Sequence, residues 1–255
     1  MKTKVIYTSL VGNYDELPQP RVIKDDYDFI CFTDDICKDS IGVWKVKPIP
    51  YDCKNNLRKS RYVKLLPHRV LNDYEVSVWM DANIQIINER FYYIIDKLVA
   101  NDVKIAQLPH LLSNSVYTEI RNAFYGGKVK AKEAIKQYKH LKEMGFPDES
   151  GLFENNVIFR RHKNKDVENI SEDWWNEYCN YSERDQFSLM YIYWKHGFNP
   201  KYIFDDKHNS RNCDSLKYIQ HPSHVKRIEK GAKDFIVKKA IRSLYKHIVI
   251  SLFLN

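Results

Sequence analysis

The sequence predicts an α/β fold: a mixed, mostly parallel sheet flanked by helices, with a basic amphipathic helix at its C-terminal end. Three observations carry this. Short apolar runs of β-type composition recur in the first 110 residues and end in polar residues; helical segments alternate with them; and 255 residues that are 44% hydrophobic suffice for a sizeable core.

"KVIYTSLV" reads as a first buried strand, followed in "GNYDELPQP" by the Gly, Asn, Asp and Pro of a loop. "YDFICFTDD" repeats the design and ends at Asp34, and "GVWKVKPIP" is a third strand closed by prolines. In "NNLRKSRYVKLLPHRVL" the spacing predicts a helix that Pro67 kinks or ends. "SVWMDANIQI" is a strand interrupted by Asp81 and Asn83, followed by a helix through "FYYIIDKLVA" and a strand at "VKIAQL". Such sheets bind ligands at the carboxyl ends of their strands, where Asp34 and Asp81 fall. The second half predicts a helix in "KAKEAIKQYKHLKEMG", a strand in "GLFENNVIFRRH" and a Gly-stopped helix in "DQFSLMYIYWKHG". In the tail, Val237, Ile241, Leu244, Ile248 and Leu252 form one apolar stripe, with Lys238, Lys239, Arg242 and Lys246 off it. The expected division is a domain over residues 1–225 and a basic tail over 226–255.

Of the formal net charge of +8, the stretch Lys226–Lys246 contributes eight basic residues against two acids, leaving the rest nearly neutral. A basic, tyrosine-rich chain raises the alternative of a nucleic-acid binder, but the charge sits in the tail and no RNA-binding motif appears, so no nucleic acid is expected. A hydrolase is a further alternative, without a Ser/His/Asp or metal-hydrolase signature. The five cysteines form no C-x-x-C pair and read as reduced thiols. No stretch reaches the roughly 18 apolar residues of a membrane span, and the N-terminus is too polar for a signal peptide. The expected location is cytoplasmic, at the inner face of the cell membrane, with the tail helix against an anionic membrane surface.

Asp81 and Asn83 after a buried strand have two readings: a turn, or hard oxygen ligands for Mn²⁺ or Mg²⁺ against a donor diphosphate. Arg58, Arg61 and Lys64 form a basic row that is either solvated or a wall for phosphates. Ser182 is a helix-cap candidate that would place Asp185 and Gln186 in the first turn. Glu154, Asn155 and Asn156 crowd the approach to a strand. Neither a P-loop nor a dinucleotide-binding glycine motif is present.

Taken in order, "YTSLVGNYDEL", "DFICFTDD", "NNLRKSRYVKLLPHRVL", "SVWMDANIQI", "HLLSNSVYTEI", "GLFENNVIFRRH" and "WWNEYCNYSERDQFSLMYIYWK" resemble a glycosyltransferase-like domain family with plant mucilage- and turgor-related members and bacterial members expected in surface polysaccharide synthesis. The resemblance covers about residues 4 to 200. It implies a GT-A-like fold, a nucleotide-sugar donor and a glycan or lipid-linked glycan acceptor. It also implies that Thr8, Asn13, Tyr14 and Asp34 lie against the nucleoside, and that Arg58, Arg61, Lys64, Asn155 and Lys226 approach the donor. Asp81, Asn83 and His221 would hold the metal, with His208 competing for the third place. "RDQ" resembles the Asp-Gln motif of retaining enzymes, where Asp185 grips the donor sugar and Gln186 sits near the anomeric carbon; an inverting enzyme would instead need Asp185 or Glu154 as general base.

Overall fold

The computed structural model describes residues 3–12, 17–34, 38–220 and 235–254, with side chains from Ser243 onward in the last stretch. Strand β1 (Lys4–Leu10) lies parallel to β2 (Tyr27–Thr33), as the two apolar runs require. After the short β3 (Ser40–Ile41) and β4 (Trp44–Pro48), Asn55 caps helix α1 (Asn56–Leu65) by accepting from the Leu57 and Arg58 amides. Pro67 ends α1 as expected and then opens a one-turn helix, α2 (Pro67–Val70), at the position where its missing N–H costs nothing.

The interrupted strand is two strands. β5 (Val76–Met80) is wholly buried and belongs to the main sheet, whereas β6 (Ile84–Ile86), beyond the turn at Asp81–Asn83, pairs instead with β10 (Leu216–Tyr218). Between them come α3 (Arg90–Ala100), β7 (Ile105–Pro109), α4 (Val116–Tyr125), α5 (Ala131–Glu143), β8 (Phe153–Arg160), α6 (Lys165–Asn180), a 3₁₀ turn (Asp185–Phe187), α7 (Leu189–Lys195) and β9 (Lys201–Tyr202). A final helix, α8, spans Phe235–Phe253.

The main sheet runs β3-β4-β2-β1-β5-β8-β7-β9. Strands β4, β2, β1 and β5 are parallel, and β8 is antiparallel to both neighbours. This is the mixed, mostly parallel sheet flanked by helices that the sequence predicts. Alternation splits the core: Val5 and Tyr7 join α1, α4, α5 and α6 on one face, while Ile6 meets Phe91, Tyr92 and Ile95 of α3 on the other. Helices α4 and α6 were not among the predicted elements; Ser115 and Asn164 cap them.

Pairing of β7 with β8 jumps from Gln107–Ile158 to Leu108–Glu154, so Asn155, Asn156 and Val157 form a bulge. Bulges re-aim side chains. This one lies beside Asp81, whose amide donates to the Asn156 carbonyl at 2.8 Å.

Candidate active site

Helix α1 directs its cations at one short acidic segment. Arg58, Arg61 and Lys64 recur every third residue and so share a face, and that face meets Glu183 and Asp185 just after α6. Arg58 Nε donates to Glu183 Oε1 at 2.7 Å. Arg61 Nε stands 3.3 Å, and Lys64 Nζ 2.6 Å, from Asp185 Oδ2. Lys64 also lies 3.3 Å from Asp81 Oδ1, an oxygen that accepts from Trp79 Nε1 at 2.7 Å. One ammonium on a side chain only 2% exposed therefore joins the carboxylate after β5 to the carboxylate of the 3₁₀ turn.

Electrostatics within the cluster are reciprocal. Burial would raise the Asp185 carboxyl, but Arg61 and Lys64 reverse this and hold it well below the usual carboxylate range. Burial likewise works against the Arg61 cation, which Asp185 and Asp81 more than restore. The backbone is pinned as firmly: Arg160, buried on β8, donates to the Lys64 carbonyl at 2.6 Å and to the Tyr7 hydroxyl at 2.5 Å. Burial, opposed in part by Arg160, pushes the Tyr7 phenol up to about 12. The last turn of α1 is thereby tied to β1 and β8, which fixes where Lys64 starts.

Toward β1 and β2, Asp34 accepts from the Gly12 amide at 3.3 Å and lies 3.6 Å from Lys59 Nζ. Ser9 and Ser60 hydroxyls are 2.6 Å apart, joining β1 to α1. Thr8 is buried, and its hydroxyl finds no partner among the described residues. Asn13, Tyr14, His221 and Lys226 lie outside the described residues.

At the bulge, Glu154 is buried and fully engaged. Its carboxylate accepts from Asn156 Nδ2 (3.0 Å), the Ser210 hydroxyl (2.8 Å) and amide (3.3 Å), Asn209 Nδ2 (3.2 Å) and the Arg211 guanidinium. The sequence offers Glu154 as a base only for an inverting enzyme; in the fold its oxygens stitch the loop before β10 onto β8. Asn155 faces inward, its Oδ1 accepting from Gln107 Nε2 at 3.0 Å, and Gln107 Oε1 accepts from the Tyr193 hydroxyl at 2.6 Å. Gln186 Nε2 donates to the Phe153 carbonyl at 2.6 Å. Asp185 and Gln186 sit in a 3₁₀ turn rather than in the first turn of α7; Arg184 is the N-cap of that turn, and Ser182, the expected cap, instead accepts from the Arg184 amide and donates to Glu133.

A divalent cation at this turn would need open oxygen donors. Asp81 Oδ1 is held by Trp79 and Lys64, and Lys64 sits between the two carboxylates where a cation would bridge them. Asn83, 5% exposed, donates from Nδ2 to the Ile219 carbonyl at 3.0 Å, and its own carbonyl accepts from the Ile219 amide at 2.8 Å. Asn83 thus ties the β6 turn to the strand end of β10. His208 is turned to Asp205, 2.8 Å away. Among the described residues no group of three His, Cys, Asp or Glu side chains converges to hold a metal. Asp81 Oδ1 and the Asn83 amide nitrogen are thus engaged within the protein, so Mn²⁺ or Mg²⁺ at this turn would need further oxygen donors.

Sequence reasoning missed Glu183, Trp79, Arg160 and the Asn209–Arg211 loop. Only Glu183 left a readable signal, as the acid three residues after Asn180 in a segment that meets a basic row of matching spacing.

A family model described as TOD1/MUCI70, glycosyltransferase-like domain, matches residues 2–209. The chain belongs to the TOD1/MUCI70 glycosyltransferase-like domain family. All the ion pairs of the α1 face fall within the matched part, and α8 falls outside it. Family membership and the mixed, helix-flanked sheet agree with the GT-A-like expectation. No curated protein matches the sequence significantly. Similar solved structures include the bifunctional glycosyltransferase WbbM in its apo form (10% identity, TM-score 0.45, covering 88% of this chain and 43% of that one). Mouse xyloside xylosyltransferase 1, apo form, is similar at 10% identity with a TM-score of 0.43, covering 77% of this chain and 83% of that one. The galactosyltransferase LgtC in complex with donor and acceptor sugar analogues is similar at 10% identity with a TM-score of 0.46, covering 92% and 99%. The chain spans under half the length of WbbM.

Proposed function

We propose that this TOD1/MUCI70-family domain transfers a sugar from a nucleotide-sugar donor to a hydroxyl of a cell-surface glycan, such as capsule or lipopolysaccharide, with retention of configuration. The observation that supports it is the ion chain Asp81–Lys64–Asp185–Arg61 at the carboxyl end of β5. Two carboxylates paired with the same buried ammonium are acceptors for donor-sugar hydroxyls. Asp81, with 35% of its side chain exposed, is the outward one. In this reading Gln186, its Nε2 held by the Phe153 carbonyl, offers its amide oxygen to the donor sugar near the anomeric carbon. The cations of α1 stabilise charge that develops on the departing diphosphate.

Two features favour retention. Glu154 is held by five donors, and Asp185 is held far below the range of an effective base at neutral pH, so neither suits the proton abstraction an inverting route needs. Mn²⁺ or Mg²⁺ enters this reading only with ligands beyond Asp81 and Asn83, and the chemistry it would supply is neutralisation of the diphosphate. An acceptor carried on lipid would place the reaction at the inner face of the cell membrane.

The test is a panel of nucleotide sugars, read by thermal shift with and without Mn²⁺, followed by NMR of the transferred anomeric centre. At least one donor is expected to stabilise the protein and yield product of retained configuration. Indifference to every donor would overturn the transferase reading; an inverted product would overturn retention alone.

A further inference from the structure

Helix α8 docks on the domain with one face and leaves an apolar face outside. Its docked side is defined by contacts to α4 and its following turn: Val249 is buried, Tyr245 meets the Phe124 ring edge-on at 6.4 Å, and Lys246 donates to the Tyr125 carbonyl. Arg121 of α4 donates to the Leu254 carbonyl at 3.1 Å, and Lys139 of α5 stands 5.8 Å from the centre of the Phe253 ring. The helix end is therefore held by packing, by the bond from Arg121 to its last backbone carbonyl and by the bond from Lys246 to the Tyr125 carbonyl.

The outward side is Leu244, Ile248 and Leu252, four residues apart and exposed by 64%, 48% and 67%. They lie on one line of the helix. A packed tail helix normally turns such a stripe inward; here Leu244, Ile248 and Leu252, the described part of the predicted stripe, face outward. Between Phe235 and Asn255 the chain carries Lys238, Lys239, Arg242 and Lys246 and no acid. Among the described residues no helix is long and apolar enough to cross a membrane.

We infer that the Leu244–Ile248–Leu252 face of α8 docks on an anionic lipid surface, with the helix lying in the interface plane and the domain carried on its opposite face. Apolar side chains enter the headgroup boundary, and the lysine-rich, acid-free helix is drawn to the negative surface potential. A second copy of the chain is the other occupant such a stripe suggests. Charge disfavours it, because pairing two copies along this face would bring together two helices whose sequence carries cations and no acid. The inference stands apart from the transfer chemistry, since none of these residues belongs to the ion chain at β5.

The experiment is co-sedimentation of the full chain with vesicles of phosphatidylglycerol and phosphatidylcholine, beside vesicles of phosphatidylcholine alone. It is repeated for Leu244→Ser/Ile248→Ser/Leu252→Ser and accompanied by light scattering of both proteins without lipid. The wild type is expected to bind the anionic vesicles at least tenfold better than the neutral ones. The triple variant should lose at least tenfold of that binding while keeping the wild-type circular dichroism and monomeric mass. Should the triple variant fail to fold, Leu244→Ser and Leu252→Ser alone, at the two most exposed positions, are each expected to weaken binding severalfold. Absence of binding to anionic vesicles, equal binding by wild type and folded variants, or a wild-type dimer that the variants dissolve would each overturn the inference.

Discussion

Lys64 Nζ stands 2.6 Å from Asp185 Oδ2 in a side chain almost wholly removed from solvent, and the same ammonium reaches Asp81. An ion pair so placed is costly to break, because the surviving partner keeps its desolvation penalty and loses its compensation. Lys64→Met preserves the apolar stem and removes the charge, leaving Asp185 to Arg61 alone. The expected loss is roughly 3 kcal/mol of unfolding free energy, by the usual cost of breaking a buried pair, measured by urea denaturation. If Lys64 serves only as an exposed phosphate contact, Lys64→Met will denature at the wild-type urea midpoint.

Glu154 invites a sharper separation of anchor from base. Its oxygens gather Asn156, Asn209, Ser210 and Arg211. Glu154→Gln keeps the shape but replaces one accepting oxygen by a donor that faces other donors, so the 205–215 loop should open. Limited proteolysis is expected to cut the variant within that loop at least several times faster than the wild type. For a general base, transfer would instead fall with the loop as protected as before.

Much of this arrangement was legible in the sequence. The basic row of α1 and the "RDQ" segment could each be read by spacing, and Pro67 marked its own break. Their meeting could not be read, because it depends on α6 returning the chain so that Glu183 and Asp185 oppose residues more than a hundred positions earlier. The role of Asn83 was hidden for the same reason: a polar residue after a buried strand looks alike whether its partner is a metal or the backbone of Ile219. The Asn155–Val157 bulge was equally invisible, since a three-residue shift in pairing leaves the apolar run of β8 unchanged. In the tail, composition revealed an apolar stripe, but only the contacts of Val249 and Tyr245 with α4 reveal which side of the helix is docked.

His162 supplies a pH-dependent term remote from the site. Its ring is fully buried, Nε2 donates to the Leu71 carbonyl at 3.1 Å, and burial, helped by the charges of Arg160 and Lys163, pushes the imidazole down to about 4. The folded protein keeps this ring neutral while the unfolded chain takes up a proton near the ordinary histidine value of about 6.5. Stability from this group is therefore complete above about 6.5 and is lost as pH falls toward 4, by about 3 kcal/mol over the window. Denaturation midpoints of His162→Gln, followed from pH 7 to pH 4, should fall less steeply than those of the wild type. Parallel slopes would mean that the ring titrates normally in the fold.

Asn83→Asp distinguishes the two readings of the turn after β5. A metal ligand would be improved by the change, since a carboxylate is a harder and charged oxygen donor. In the structure, however, Asn83 donates through Nδ2 to the Ile219 carbonyl, and that bond joins β6 to β10. A carboxylate at this position loses the donor and sets negative charge against the carbonyl oxygen. The expected outcome is a loss of roughly 1 to 3 kcal/mol, the range for a buried hydrogen-bonding group left without its partner, with faster amide exchange at Ile219. Asn83→Asp should then weaken transfer whether or not Mn²⁺ is added. A variant that keeps wild-type stability and gains activity with Mn²⁺ would restore Asn83 to the metal and return the turn to the part of the site that holds the diphosphate.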